Sequence, residues 1–337
     1  MKSIRRAIAG GLLGAVLCAG SVVGAWACAV PAAGNDVTVT SGGLSLTVHV
    51  AGSGPPVLFI PSIGRDVTDF NDLATRVAAG GFLVIMPSPR GVRSNLGSLA
   101  TADLNDLADD ALTVTRALCG DEPATFVGQS YGSRIARLAA VRDGARIASI
   151  VLLGADDGQP VADDLRAAMS NAVAQGIRSE RSRLEGLQTA FFAKGNDAQA
   201  WLKGWSPLAA AAQNRAGKRV DINAWLTGGG DEPVLLVHGA EDPVQPPEAD
   251  AALAALIGPR ARAVTIPQAS HALLPEQPEA LGAVVLAFLR GGNPADPALI
   301  EPLIRNRQGK VADCRGHGQS GAALSCQGAV EVSVPRG

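Results

Sequence analysis

Pro123-Ala124-Thr125-Phe126-Val127-Gly128-Gln129-Ser130-Tyr131-Gly132-Ser133 is the stretch on which the reading of this chain turns. It joins a short apolar run to a G-x-S-x-G pentapeptide, and the residues from Ser133 to Arg142 continue with helical spacing. A brief apolar run bounded by turn residues reads as a buried strand. Strand, sharp turn and helix form the setting in which G-x-S-x-G builds a nucleophile elbow. The flanking glycines have a steric task, because a chain that passes abruptly from strand to helix strains its central residue and leaves no room for bulk on either side. Ser130 would then project its hydroxyl above the strand ends. The pentapeptide also arises by chance in a chain with 40 Gly, so its weight comes from the strand before it and the helix after it.

A serine hydroxyl is a poor nucleophile until a base takes its proton and a third group orients that base. The chain contains four His. His271 follows the apolar run ending at Ile266 and precedes the helix expected over Pro278 to Arg290, so it lies on a loop that can reach a neighbouring strand end. His49 and His238 fall within expected strands and His317 in a Gly-rich tail, and these three read as structural. The orienting acid should precede His271 and leave another strand end. Asp242, after the run Val234 to His238, meets both conditions. The resulting order, Ser130, Asp242, His271, is that of strand-turn-helix elbows. Asp156 and Asp157, which follow the run Ile147 to Leu153, compete for the same role, whereas Glu241 reads as a solvated neighbour of Asp242.

Strand-like runs at Leu44 to Val50, Val57 to Ile60, Phe82 to Met86, Thr125 to Val127, Ile147 to Leu153, Val234 to His238 and Ala263 to Ile266 alternate with helix-like runs. That alternation predicts an α/β fold with a mostly parallel central sheet flanked by helices. Leu104, Leu107, Ala108, Ala111, Leu112 and Leu118 recur at helical spacing, and Cys119-Gly120 ends that helix. Residues 158–231 offer no convincing strand but helical stretches at Asp163 to Gln175 and Ser179 to Lys194, which predicts a helical cap over the sheet edge, setting which substrates enter. Phe191, Phe192, Trp201, Trp205 and Trp225 concentrate there, as cap core rather than as an acyl pocket. The expected organisation is a signal segment over 1–29, a core over 37–157 and 232–290, and an appended tail over 291–337.

From about Val37 to Arg290 the chain resembles the α/β-hydrolase family. Pro56-Val57-Leu58-Phe59-Ile60-Pro61-Ser62-Ile63-Gly64 is similar to that family's third strand and oxyanion loop, and Phe82 to Ser94 to its fourth strand and the Arg-Gly turn beyond it. Pro61-Ser62 stands where the family commonly has His-Gly, and Ser88 where it often has Asp. The resemblance implies that the backbone amides of Ile63 and Tyr131 form the oxyanion hole; Pro61, lacking an amide hydrogen, cannot contribute. Ser62 brings a hydroxyl that would stabilise its own turn. A nucleophilic Ser130 argues against dehalogenase and epoxide-opening chemistry, which in this fold usually rely on an Asp at the elbow.

A net charge of -2 gives no reason to expect nucleic acid as a partner. Lys2, Arg5 and Arg6, the uncharged stretch Ile8 to Ala25, and Ala25-Trp26-Ala27 or Ala27-Cys28-Ala29 as the cleavage site read as an export signal. No membrane span is expected after it. Export implies a periplasmic or secreted protein; a lipid-modified Cys28 is the less favoured reading because Trp26 sits badly in such a site. Of the five Cys, Cys314 and Cys326 are the natural disulfide pair, within one Gly-rich tail. Cys119 reads as a small buried residue, and no cysteine spacing suggests a metal site. The expected activity is cofactor-free and metal-free cleavage of a small-molecule ester or related acyl bond. The same triad would serve an aminopeptidase, given an acidic clamp from Asp156, Asp157, Asp163 and Asp164, or a thioesterase or cofactor-free haloperoxidase-like enzyme. A binding protein that kept the fold and lost catalysis is the rival of another class.

Overall fold

Unbroken apolar runs need cover on both faces, which is the situation of a central strand in a parallel sheet. The computed structural model, which describes residue 28, residues 36–93, residue 95 and residues 97–304, places them there. The first half of the chain forms β1 (Asp36–Ser41), β2 (Leu44–Gly52), β3 (Pro56–Ile60), α1 (Asn71–Ala79), β4 (Leu83–Pro87), α2 (Leu104–Cys119), β5 (Ala124–Gln129), α3 (Tyr131–Arg142) and β6 (Ile147–Leu153). Then come α4 (Asp163–Val173), α5 (Glu180–Ala190) and α6 (Pro207–Gly217). The core resumes with β7 (Val234–Gly239), α7 (Pro247–Ile257), β8 (Ala261–Ile266), α8 (Leu273–Glu276) and α9 (Pro278–Leu289).

The eight strands make one sheet in the order β1-β2-β4-β3-β5-β6-β7-β8, parallel from β4 onward and antiparallel at β1 and β2. All residues of β3, β4, β5 and β7 are buried. One face packs on α2, α3 and α7 through side chains such as Leu104, Ile135 and Leu253. The other packs on α1 and α9 through Leu73, Val77, Leu281 and Val284. Each such fully buried side chain contributes about 1.5–3 kcal/mol relative to exposure. Residues 297–304, within the expected tail, are helical, and Ile300 and Ile304 join this second core.

Two expectations are corrected. The sheet begins one strand earlier than the apolar pattern suggests, at β1, which buries only Val39 and so shows no alternation. A two-residue Gly42-Gly43 turn, both at positive φ, registers β1 on β2 with Ser41 opposite Leu44. Cys119 is buried as expected but is not unpaired: it forms a disulfide with Cys28, which the sequence reading assigned to the signal segment. The proximity of residues 91 apart in sequence cannot be read from local pattern. The expected pair Cys314 and Cys326, and His317, which reads as structural, lie outside the described residues.

Residues 158–231 hold α4, α5 and α6 and, among the described residues, no strand. Phe191, Phe192, Trp201 and Trp205 form this segment's own core with Ala172 and Leu187. Trp225 instead joins the main core beneath α3. Among the described residues no helix is long and apolar enough to cross a membrane.

Candidate active site

Ser130 sits between β5 and α3 at φ 49°, ψ −113°, in the positive-φ region that costs a non-glycine residue about 1–3 kcal/mol. Its neighbours over-determine that conformation. The Ser130 amide donates to the Leu153 carbonyl at 2.8 Å, and its own carbonyl accepts from the Ser133 amide at 2.9 Å. The steric reason for the flanking glycines is explicit: a Cβ on Gly128 would lie 2.4 Å from the Gly132 carbonyl oxygen, and one on Gly132 2.2 Å from that of Ile60. Ser130 itself is half-buried.

Asp242 and His271 come from the loops after β7 and β8 and meet over Gly154, the residue after Leu153, whose carbonyl accepts the Ser130 amide. His271 Nδ1 lies 2.8 Å from Asp242 Oδ2. The other carboxylate oxygen accepts the amides of Val244 at 2.8 Å and Gln245 at 3.0 Å, so the acid is fixed by its own turn. Gly239 lets the two loops stack, since a Cβ there would meet the carbonyl oxygens of Ala269 at 2.3 Å and Ser270 at 2.4 Å. The competing acids are engaged elsewhere. Asp156 Oδ2 accepts from Arg134 at 2.8 Å, and Asp157 caps the Gln159 amide at 3.0 Å. Fully buried Arg137, whose pKa burial pulls down to about 10, holds the Asp156 carbonyl at 3.0 Å and so fixes the path of that loop. Glu241 is exposed. His49 pairs with Asp36 at the sheet edge, and His238 is buried against Asp250 and the Ala155 carbonyl, both structural as expected.

His271 is only 2% exposed. Burial opposes its protonation, but the Asp242 carboxylate, helped by Asp156 and Glu276 at longer range, outweighs burial and raises the imidazole pKa above its ordinary value. The Phe191 ring stacks on the imidazole at 5.5 Å, and the Ala272 amide donates to the Phe191 carbonyl at 2.8 Å. Glu276, raised by its burial, accepts from the Ser270 amide at 2.7 Å, from the Ala193 amide at 2.7 Å and from Asn196 at 2.8 Å, so it ties the histidine loop to the cap.

Ile63 follows β3, and Tyr131 opens α3, where a first-turn amide has no acceptor within its own helix. In the loop after β3 the Arg65 amide closes a turn on the Ser62 carbonyl at 3.1 Å. Ser88 donates to Asp66 at 2.6 Å, joining this loop to the one after β4. Sequence reasoning assigned Phe191 to the cap core alone and did not find Glu276, Gly154 or Gln213, all of which bear on the site. Each acts across a long sequence separation; the signal in Gly154 alone was local, a glycine leaving a buried strand. Among the described residues no group of three or more His, Cys, Asp or Glu side chains could hold a metal ion.

Residues 55–278 match a family model described as alpha/beta hydrolase fold. A protein of Mycobacterium phage D29 named as a non-heme haloperoxidase is 24% identical over 234 residues, which is 64% of this chain and 81% of that protein. Among solved structures, an esterase from Exiguobacterium antarcticum superposes with a TM-score of 0.64 at 20% identity, covering 76% of this chain and 100% of its own. A hydrolase from Pseudomonas aeruginosa PA01 gives a TM-score of 0.63 at 24% identity, covering 76% and 99%. A bromoperoxidase from Bacillus anthracis gives 0.63 at 18%, covering 76% and 100%.

Proposed function

We propose that this chain, which belongs to the alpha/beta-hydrolase family, is an exported serine hydrolase that cleaves an ester or related acyl bond of a small molecule. The observation that carries the reading is the 2.8 Å contact between His271 Nδ1 and Asp242, in a fold that also sets Ser130 on a strained strand-to-helix elbow. With its Nδ1 proton donated to Asp242, the imidazole keeps a basic Nε2, the atom that in this mechanism serves Ser130. Ser130 Oγ attacks the carbonyl carbon as His271 takes its proton, and the amides of Ile63 and Tyr131 receive the negative charge that develops on the carbonyl oxygen. Collapse expels the alcohol, protonated by His271, and leaves an acyl-serine. Water, deprotonated by the same imidazole, then releases the acid. The export part of the reading rests on the N-terminal charge and apolar pattern.

The test is covalent labelling by a fluorophosphonate, with hydrolysis of a panel of esters, thioesters and aminoacyl amides. Labelling at Ser130 and its loss in Ser130→Ala are expected. A folded wild-type protein that takes no label and hydrolyses nothing in the panel would transfer the reading to a binding protein. The aminopeptidase alternative is weakened because Asp156 and Asp163 already pair with Arg134 and Arg166. The phage relative's printed name supports one second reading, in which hydrogen peroxide replaces water at the acyl-serine and releases a peracid; halide oxidation in a peroxide-supplemented assay tests it.

A further inference from the structure

α6 begins at Pro207, whose fixed φ suits a first helical turn, and presents a buried face of Ala209, Ala210, Ala212, Gln213 and Ala216. Small side chains let this helix lie directly on the loop after β3: Gly64, at φ 65°, would place a Cβ 2.7 Å from that of Ala210. Gln213 is the polar member of that face and is 3% exposed. Its side-chain oxygen accepts the Gly64 amide at 2.7 Å. Its backbone oxygen accepts the Tyr131 hydroxyl at 2.6 Å. The Gly64 carbonyl in turn accepts the Ser206 amide at 2.8 Å, just before α6.

We infer that Gln213 is a positioning residue for the oxyanion site, holding the Ile63-Gly64 loop and Tyr131 in register through one cap residue. The inference rests on the serine-hydrolase reading above. An oxyanion hole works only when both donors lie about 2.7–3.1 Å from a single point. Here the two amides belong to different elements, one at the start of α3 and the other in a loop outside regular structure. Gln213 bridges them, bonding the residue after Ile63 through its side chain and the side chain of Tyr131 through its backbone. The ring of Tyr131 is further seated against Gly217, where a Cβ would approach it to 3.1 Å. A buried amide among alanines packs no better than an apolar side chain of its size, so its value lies in the bond to Gly64. The cap therefore acts on the chemical step as well as on substrate entry.

The experiment compares the full-length protein with Gln213→Met, Gln213→Glu, Tyr131→Phe and the Gln213→Met/Tyr131→Phe double variant, using p-nitrophenyl butyrate and a fluorophosphonate. Gln213→Met, which keeps bulk and removes the acceptor, should lower kcat by about 10²-fold with KM changed by no more than about twofold. Gln213→Glu, which restores an acceptor oxygen, should recover most of that loss. Tyr131→Phe should lower kcat in the same sense, and the double variant should lose less than the product of the two, because both act through one strut. Unchanged kcat in folded Gln213→Met, or a loss confined to KM, overturns the inference. If Gln213→Met does not fold, unchanged kcat in Tyr131→Phe overturns it instead. Labelled, active wild type with unaffected variants removes this inference alone; an unlabelled, inactive wild type removes the hydrolase reading and this one with it.

Discussion

Asp242 divides its carboxylate between two tasks, with Oδ2 2.8 Å from His271 Nδ1 and Oδ1 held by the amides of Val244 and Gln245. The acid thus reaches the imidazole from a position its own loop has fixed. Asp242→Asn keeps the shape but places an uncharged group, able to donate, against Nδ1. Turnover should fall by about four orders of magnitude, as it does when the orienting aspartate of a serine-protease triad is amidated. Steady-state kinetics on a p-nitrophenyl ester check this, and near-normal turnover with loss instead in Asp156→Asn would assign the acid to the loop after β6.

The pH dependence follows from His271. Burial disfavours the imidazolium, Asp242 favours it more, and the pKa is raised. Catalysis needs the neutral ring, so kcat/KM should fall with decreasing pH through a midpoint above the imidazole reference of about 6.5. In Asp242→Asn burial acts with less opposition, and the midpoint should move to lower pH. The stability contribution has the opposite sense: it is full below the unfolded imidazole pKa and is lost as pH rises through the folded one. A pH–rate profile with its acid limb below 6 in wild type would contradict the pair as described.

Gly154 lies under the imidazole at φ 56°, and a Cβ there would come within 3.1 Å of His271 Nδ1 and 3.2 Å of Cε1. Gly154→Ala should therefore push the ring away from Asp242. The shift needed is a few tenths of an ångström, so turnover should fall by less than the about 10²-fold that a 1 Å misplacement costs. Fluorophosphonate labelling rates measured alongside thermal unfolding separate this effect from a general loss of stability.

The Cys28–Cys119 disulfide carries a prediction about processing. Of the two cleavage sites considered, only removal of the chain up to Ala27 leaves Cys28 in the mature protein. Under the proposed export, intact mass of the processed protein should place its N-terminus at Cys28, and non-reducing peptide mapping should link it to Cys119. Closing a loop of that length stabilises by about 4–5 kcal/mol in the chain-entropy model, so Cys119→Ser should unfold at markedly lower denaturant. A mature chain beginning at Val30 would exclude the bond.

The elbow at Gly128-Gln129-Ser130-Tyr131-Gly132 was legible because its cause is local. A strand that turns at once into a helix needs a glycine where Gly128 abuts Gly132, and that requirement is written within five residues, although Gly132 also answers to the Ile60 carbonyl of a neighbouring strand. The central strands were legible for a related reason, since β3, β4, β5 and β7 are covered on both faces and their apolar runs are unbroken. β1 was not, because a mostly exposed edge strand has no burial to imprint on its sequence. Chain order admitted both Asp242 and the Asp156-Asp157 pair as partners of His271. Tertiary structure separated them by engaging Asp156 with Arg134 and setting the loops after β7 and β8 side by side. Gln213 meets Gly64 across 149 residues and Tyr131 across 82. Such contacts depend on strand order and on how the cap lies over the sheet edge, and no stretch of sequence short enough to have a local conformation encodes either one.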